Sequence, residues 1–98
     1  MPLSSSIFAD PNPVSDLTLD ATANKINAVW KIPEGDRLNF SVTLYDPDGN
    51  KVKNKTTPNA SYVFTDLKAG ANYTVKVYVL GVGGLESTTT QNSNFTCK

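Results

Sequence analysis

Asp46, Asp48 and Asn50 stand at alternate positions, as oxygen ligands do at the start of a calcium loop. Such a loop needs glycine at its sixth position and glutamate at its twelfth. Counted from Asp46, those positions hold Lys51 and Thr57. The run Asp46-Pro47-Asp48-Gly49-Asn50 has hairpin chemistry instead, because proline presets φ and glycine accepts a positive φ. Glu34 and Asp36 are the nearest approach to a carboxylate pair. Glycoside hydrolysis needs two carboxylates held across a cleft, one with a raised pKa; these flank a glycine in a polar stretch beside Arg37. The chain has no histidine, which excludes a Ser-His-Asp triad or a histidine-ligated metal built from its own residues. Gly81-Val82-Gly83-Gly84 is glycine-rich, but a phosphate cradle requires such a loop to open a helix, and strand-like sequence flanks this one. No catalytic, metal-binding or cofactor-binding residue is assigned, and no cofactor is expected.

A different chemistry is signalled by Asn-X-Ser/Thr, the acceptor sequence for N-glycosylation. It occurs at Asn39, Asn54, Asn59, Asn72 and Asn94. Ten asparagines in a chain whose serines and threonines make up about a fifth of the residues would give about two by chance. The five asparagines are expected at strand ends or on outward faces, where a glycan is tolerated.

The elements that must position these groups follow from periodicity. Apolar residues recur every second position: Ile26, Ala28, Trp30 and Ile32; Phe40, Val42 and Leu44; Tyr62 and Phe64; Tyr73, Val75, Val77 and Val79. Side chains alternate between the faces of a strand, so each run predicts a strand with one buried face. Turn residues separate the runs at Pro33-Glu34-Gly35, at Pro47 to Asn50, at Pro58-Asn59 and at Gly81 to Gly84. Seven strands are predicted, over residues 13–20, 25–32, 38–46, 50–56, 60–66, 71–80 and 87–96, with no helix. That is an all-β, seven-stranded antiparallel sandwich. Lysines 51, 53 and 55 are expected on one face of their strand, which suits a sheet edge, where charge discourages pairing with another molecule.

Ninety-eight residues fit one domain, read as a linker or added lead over residues 1–11 and a domain over 12–98. Nine basic and nine acidic residues leave no net charge. Phosphate binding draws on a basic surplus, so no nucleic-acid partner is expected. No apolar run approaches the roughly 20 residues that cross a bilayer, and residues 1–8 lack the basic start of a secretory signal. The single cysteine, Cys97, cannot form a disulfide within the chain.

In order and spacing, several residues resemble the fibronectin type III family. Pro13-Val14-Ser15-Asp16-Leu17-Thr18-Leu19 is similar to the family's first strand. Trp30 followed by Pro33 resembles its core tryptophan and proline, and Phe40 stands where the family usually has tyrosine. Leu67, Gly70 and Tyr73 resemble its leucine, glycine and tyrosine at three-residue steps, and Glu86-Ser87 its approach to the last strand. The resemblance implies an immunoglobulin-like sandwich in which the Tyr73 hydroxyl bonds backbone near Leu67 to Gly70. The five sequons, Phe40 to Leu44 and the run from Trp30 to Asp36 are most similar to repeats in receptor-type tyrosine phosphatase ectodomains.

That resemblance implies a non-catalytic extracellular module of a single-pass receptor or adhesion protein, a spacer with a protein ligand and with neighbouring domains of the same chain. It would not itself enter the membrane, and the isolated domain is expected to be a monomer. The alternative is an accessory spacer of a secreted carbohydrate-active enzyme. The loops lack Arg-Gly-Asp, so integrin recognition through that tripeptide is not expected.

Overall fold

The computed structural model describes residues 11–35 and 39–96. Within them lie seven strands: β1 (Ser15–Ala21), β2 (Ile26–Lys31), β3 (Asn39–Tyr45), β4 (Lys51–Thr57), β5 (Ser61–Phe64), β6 (Asn72–Leu80) and β7 (Thr90–Phe95). They form two antiparallel sheets, one in the order β1-β2-β5 and one in the order β4-β3-β6-β7. The all-β, seven-stranded sandwich read from the sequence is the architecture observed.

Period-two alternation places the core. Ile26, Ala28 and Trp30 on β2 face Phe40, Val42 and Leu44 on β3 and Tyr73, Val75, Val77 and Val79 on β6, all buried. Trp30 meets Phe40 edge to face, centroids 5.6 Å apart, a geometry the ring quadrupoles favour. Fully burying a side chain such as Phe40, Phe64 or Leu44 stabilises by about 1.5–3 kcal/mol. The Trp30 indole N–H is buried without a hydrogen-bond partner among the described residues.

Ile32 departs from the expected alternation. It lies beyond the end of β2 and is exposed, because the chain turns at Pro33. The last strand begins at Thr90, three residues later than expected. Ser87 explains the delay. Its backbone N–H donates to the Val79 carbonyl at 3.0 Å, while its Oγ accepts from the Val79 N–H at 2.8 Å. The side chain thus takes a place that the next strand's backbone would fill. Between these strands the predicted hairpin loop contains a 3-10 turn, Val82–Gly84, with Gly83 at φ 74°. That left-handed value favours glycine.

The two sheets are tied where the chain crosses between them. The Lys68 N–H donates to the Tyr73 hydroxyl at 3.1 Å, within the stretch where that bond was expected. Leu67 is buried, and its N–H donates to the Asn24 carbonyl at 2.9 Å. Gly70 takes φ 73° to turn the chain into β6. Thr96 completes the crossing. Its buried hydroxyl donates to the Lys68 carbonyl and accepts from the Ala71 N–H at 3.0 Å.

A second tie joins β1 to β7, the edges of the two sheets. Thr90 Oγ1 donates to the Val14 carbonyl at 2.8 Å, Asn92 Nδ2 to Leu17 at 2.8 Å and Asn94 Nδ2 to Leu19 at 3.0 Å. Three side chains at alternate positions replace the backbone ladder that two strands in different sheets cannot form. A register shift in β1 between Ser15 and Thr18, with Asp16 at φ 54°, accompanies this seam. A bulge of this kind re-aims the strand, and Leu17 is buried beside it.

Tyr73→Phe would leave the Lys68 N–H without its acceptor. Urea unfolding should show a loss of about 1–3 kcal/mol; a loss under a few tenths would show the hydroxyl to be dispensable.

Candidate functional site

The two long sides of the sandwich differ. One is fastened by the β1–β7 seam. The other, between β4 and β5, is an open cleft of about 420 Å³ lined by residues that include Lys53, Lys55, Tyr62 and Phe64. Lys53 pairs across the ladder with Leu44, and Lys55 with Val42. Both lysines therefore stand on the core-facing side of β4, at an edge beyond the three-stranded sheet. Lys53 reaches across to donate from Nζ to the Thr65 carbonyl at 3.1 Å. Tyr62 packs edge to face on Phe64 along the opposite wall, centroids 4.9 Å apart. A register shift between Leu44 and Tyr45 pairs Lys51 with Tyr45, so the three lysines do not continue along one face.

The outer face of the four-stranded sheet is polar. Asn54 Nδ2 donates to Thr43 Oγ1 at 2.6 Å and to Ser41 Oγ at 3.3 Å, and Ser41 and Thr43 are buried beneath it. Lys76 Nζ lies 4.6 Å from the centre of the Tyr45 ring. At one end of this face the β3–β4 hairpin is held by Asp46, whose Oδ1 accepts the backbone N–H groups of Asp48 at 3.0 Å and Asn50 at 2.8 Å. Its carboxylate is engaged by the turn, and Gly49 takes φ 85°.

The structural signature residues come together as core and corner. Trp30, Leu67 and Tyr73 are buried, Pro33 and Gly70 half-buried. Glu34 is exposed, and its carbonyl accepts from Asn12 Nδ2 at 3.1 Å; Asp36, Arg37 and Cys97 lie outside the described residues. The expected lead over residues 1–11 also lies outside them, except Pro11, whose ring sits against Gly81.

The sequons are not equivalent. Asn39, Asn54 and Asn72 are on the outer face of the four-stranded sheet, and Asn59 is in the loop between β4 and β5. Asn94 is near a strand end, one residue from the end of β7, but not on an outward face. It pairs with Tyr73 on the inner side of the sheet and turns its amide to β1. The polar composition of β7 hid this, because the apolar pattern that reveals a buried face is missing there. The alternation Thr90, Asn92, Asn94 was the available signal. Thr96 and Ser87 likewise carried no apolar mark.

The family model "Fibronectin type III domain" matches residues 12–96. The chain belongs to the fibronectin type III domain family. Among curated proteins, it is 28% identical over 81 residues to "Receptor-type tyrosine-protein phosphatase eta" of Mus musculus, covering 82% of this chain and 6% of that protein. It is 32% identical over 80 residues to "Receptor-type tyrosine-protein phosphatase H" of Homo sapiens, covering 79% of this chain and 7% of that protein. The chain thus spans less than a tenth of the length of the curated relatives it matches. Among solved structures, the fn3 domain of human collagen alpha-1(XX) superposes with a TM-score of 0.80 at 24% identity, over 92% of this chain and 89% of that one.

In this fibronectin type III domain β4 and β5 are the two strand edges that the seam leaves uncovered. Inward-pointing charge is a known guard of such edges. Replacing Lys53 and Lys55 together by threonine should promote self-association, seen as a concentration-dependent rise in sedimentation coefficient. Unchanged sedimentation would show that these lysines do not protect the edge.

Proposed function

We propose that this domain is a non-catalytic extracellular module of a single-pass cell-surface receptor of the receptor-type tyrosine phosphatase kind, a spacer that also presents surfaces to a protein ligand. The observation that carries the spacer role is the direction of the outer strands. Val14, just before β1, and Leu17 and Leu19 on it meet Thr90, Asn92 and Asn94 on β7 in the same order. β1 and β7 therefore run parallel, and the chain reaches β1 at one pole and leaves β7 at the other. Modules with this geometry join end to end. Each adds about 30 Å, the length of a nine-residue strand such as β6.

Similarity to two receptor-type phosphatases, over less than a tenth of their length, supports a repeat within a long chain. Catalysis in such a parent would belong to another domain. Within this one, the acidic side chain of Asp46 serves a turn. The neutral net charge favours protein over nucleic-acid partners. The loops at the two poles and the outer face carrying Tyr45, Lys76 and Tyr78 are the surfaces available to a protein ligand. No helix among the described residues is long and apolar enough to cross a membrane, so anchorage would come from elsewhere in the parent. As an isolated domain it is a monomer.

The test is topological. On intact cells expressing the parent protein with an epitope in the β3–β4 turn, an impermeant antibody should label the surface without permeabilisation. Labelling only after permeabilisation would overturn the extracellular reading. A catalytic carbohydrate-active domain in a parent without a membrane anchor would favour the accessory-module alternative.

A further inference from the structure

We infer that Asn59 is the principal glycan-bearing residue of this domain, and that Asn54 and Asn94 do not carry glycans in the folded chain. The five sequons share a sequence pattern but not a structural environment. N-glycosylation joins the asparagine Nδ2 to a bulky saccharide that must lie in solvent. One amide proton is replaced and one remains, so the nitrogen needs open space on one side and keeps at most one hydrogen bond.

Asn94 lacks that space, because it is half-buried on the inner side of the sheet. Its Nδ2 is one of the three donors of the β1–β7 seam, bonded to the Leu19 carbonyl at 3.0 Å, and its Oδ1 accepts the Phe95 N–H at 2.9 Å. Its partner hydroxyl, on Thr96, is buried in the crossing below Tyr73. Asn54 is exposed, but its Nδ2 is shared between Ser41 and Thr43. A saccharide there would displace a cover from two buried hydroxyls. Asn39 and Asn72 are half-buried strand residues, and the middle residues of their sequons, Phe40 and Tyr73, are core.

Asn59 is different. It is exposed and lies between β4 and β5 rather than within a strand. Its backbone N–H donates to Thr57 Oγ1 at 3.1 Å, which fixes the turn. Ala60 accepts the Trp30 N–H at 3.0 Å and anchors the next residue to the sandwich. The Asn59 side chain makes no hydrogen bond among the described residues, and the sequon hydroxyl, on Ser61, is exposed at the start of β5. A saccharide here would project from the pole where β1 starts, beside the loops that follow β2 and β6.

The step is a group transfer. Asn59 Nδ2 forms a bond to the anomeric carbon of a saccharide carried on a lipid pyrophosphate. The anomeric carbon–oxygen bond breaks, the lipid pyrophosphate leaves with the electron pair, and one amide proton passes to a base of the transferring enzyme. No group is oxidised or reduced.

The inference rests on the extracellular reading only in that the transferring enzyme is met on the secretory route. The test therefore drives the chain along that route with a signal peptide in eukaryotic cells. The folded secreted chain is treated with a peptide N-glycosidase in heavy-oxygen water, which converts each occupied asparagine to a mass-tagged aspartate. Asn59 should carry the highest occupancy and Asn54 and Asn94 none. Asn59→Gln should remove one glycan from the intact mass. An untagged Asn59, a tag on Asn54 or Asn94, or higher occupancy at Asn39 or Asn72 would overturn the assignment. Failure of the extracellular reading would be seen separately, in the labelling of intact cells, and would leave this occupancy pattern unchanged.

Discussion

Two sheets that face each other across an apolar core share no backbone hydrogen bonds, and a single cysteine supplies no internal disulfide. Apolar burial is non-directional, so it draws the sheets together without fixing how one lies on the other. Directional polar contacts at the margins must do that. Here they are the β1–β7 seam of Thr90, Asn92 and Asn94 and the crossing held by Tyr73 and Thr96. Each sets a side chain against a backbone group that neither sheet satisfies with its own ladder. A buried backbone group left without a partner is costly, so the same bonds also allow β1 and the crossing loop to lie against the core.

The seam has consequences beyond stability. It fixes β1 and β7 in parallel, which separates the points where the chain arrives and departs. It also makes the two sides of the sandwich unequal. The fastened side has the Val14, Leu17 and Leu19 carbonyls engaged by the seam, whereas the β4–β5 side keeps an open cleft with Lys53 and Lys55 on its inner wall. One set of three polar residues thus bears on end-to-end arrangement, on edge protection and, through Asn94, on which sequons can carry a saccharide.

The sandwich was legible in the sequence because apolar residues at every second position survive as a pattern wherever a face is buried. Trp30, Phe40 and the run from Tyr73 to Val79 gave the core, and Leu67, Gly70 and Tyr73 gave the crossing. Ile32 failed because periodicity alone does not mark where Pro33 ends a strand. β7 was legible only as a strand. Its inner residues are polar and work through hydrogen bonds, so hydrophobicity says nothing of their direction. The sequons were visible as five equal motifs. Their inequality depends on what each amide touches across the fold, some of it 75 residues away in sequence, as between Asn94 and Leu19. The family model and the sandwich match the resemblance read from those core and corner residues.

Side-chain bonds to the β1 carbonyls fasten the sheets. Equilibrium urea unfolding of the Asn92→Ala/Asn94→Ala double variant tests it directly. Loss of both donors should lower the unfolding free energy by about 2–4 kcal/mol, at about 1–2 kcal/mol for each part-buried bond, with little change in the denaturant slope. A loss below about 0.5 kcal/mol, within the usual range for surface substitutions, would show that packing alone holds the sheets in place.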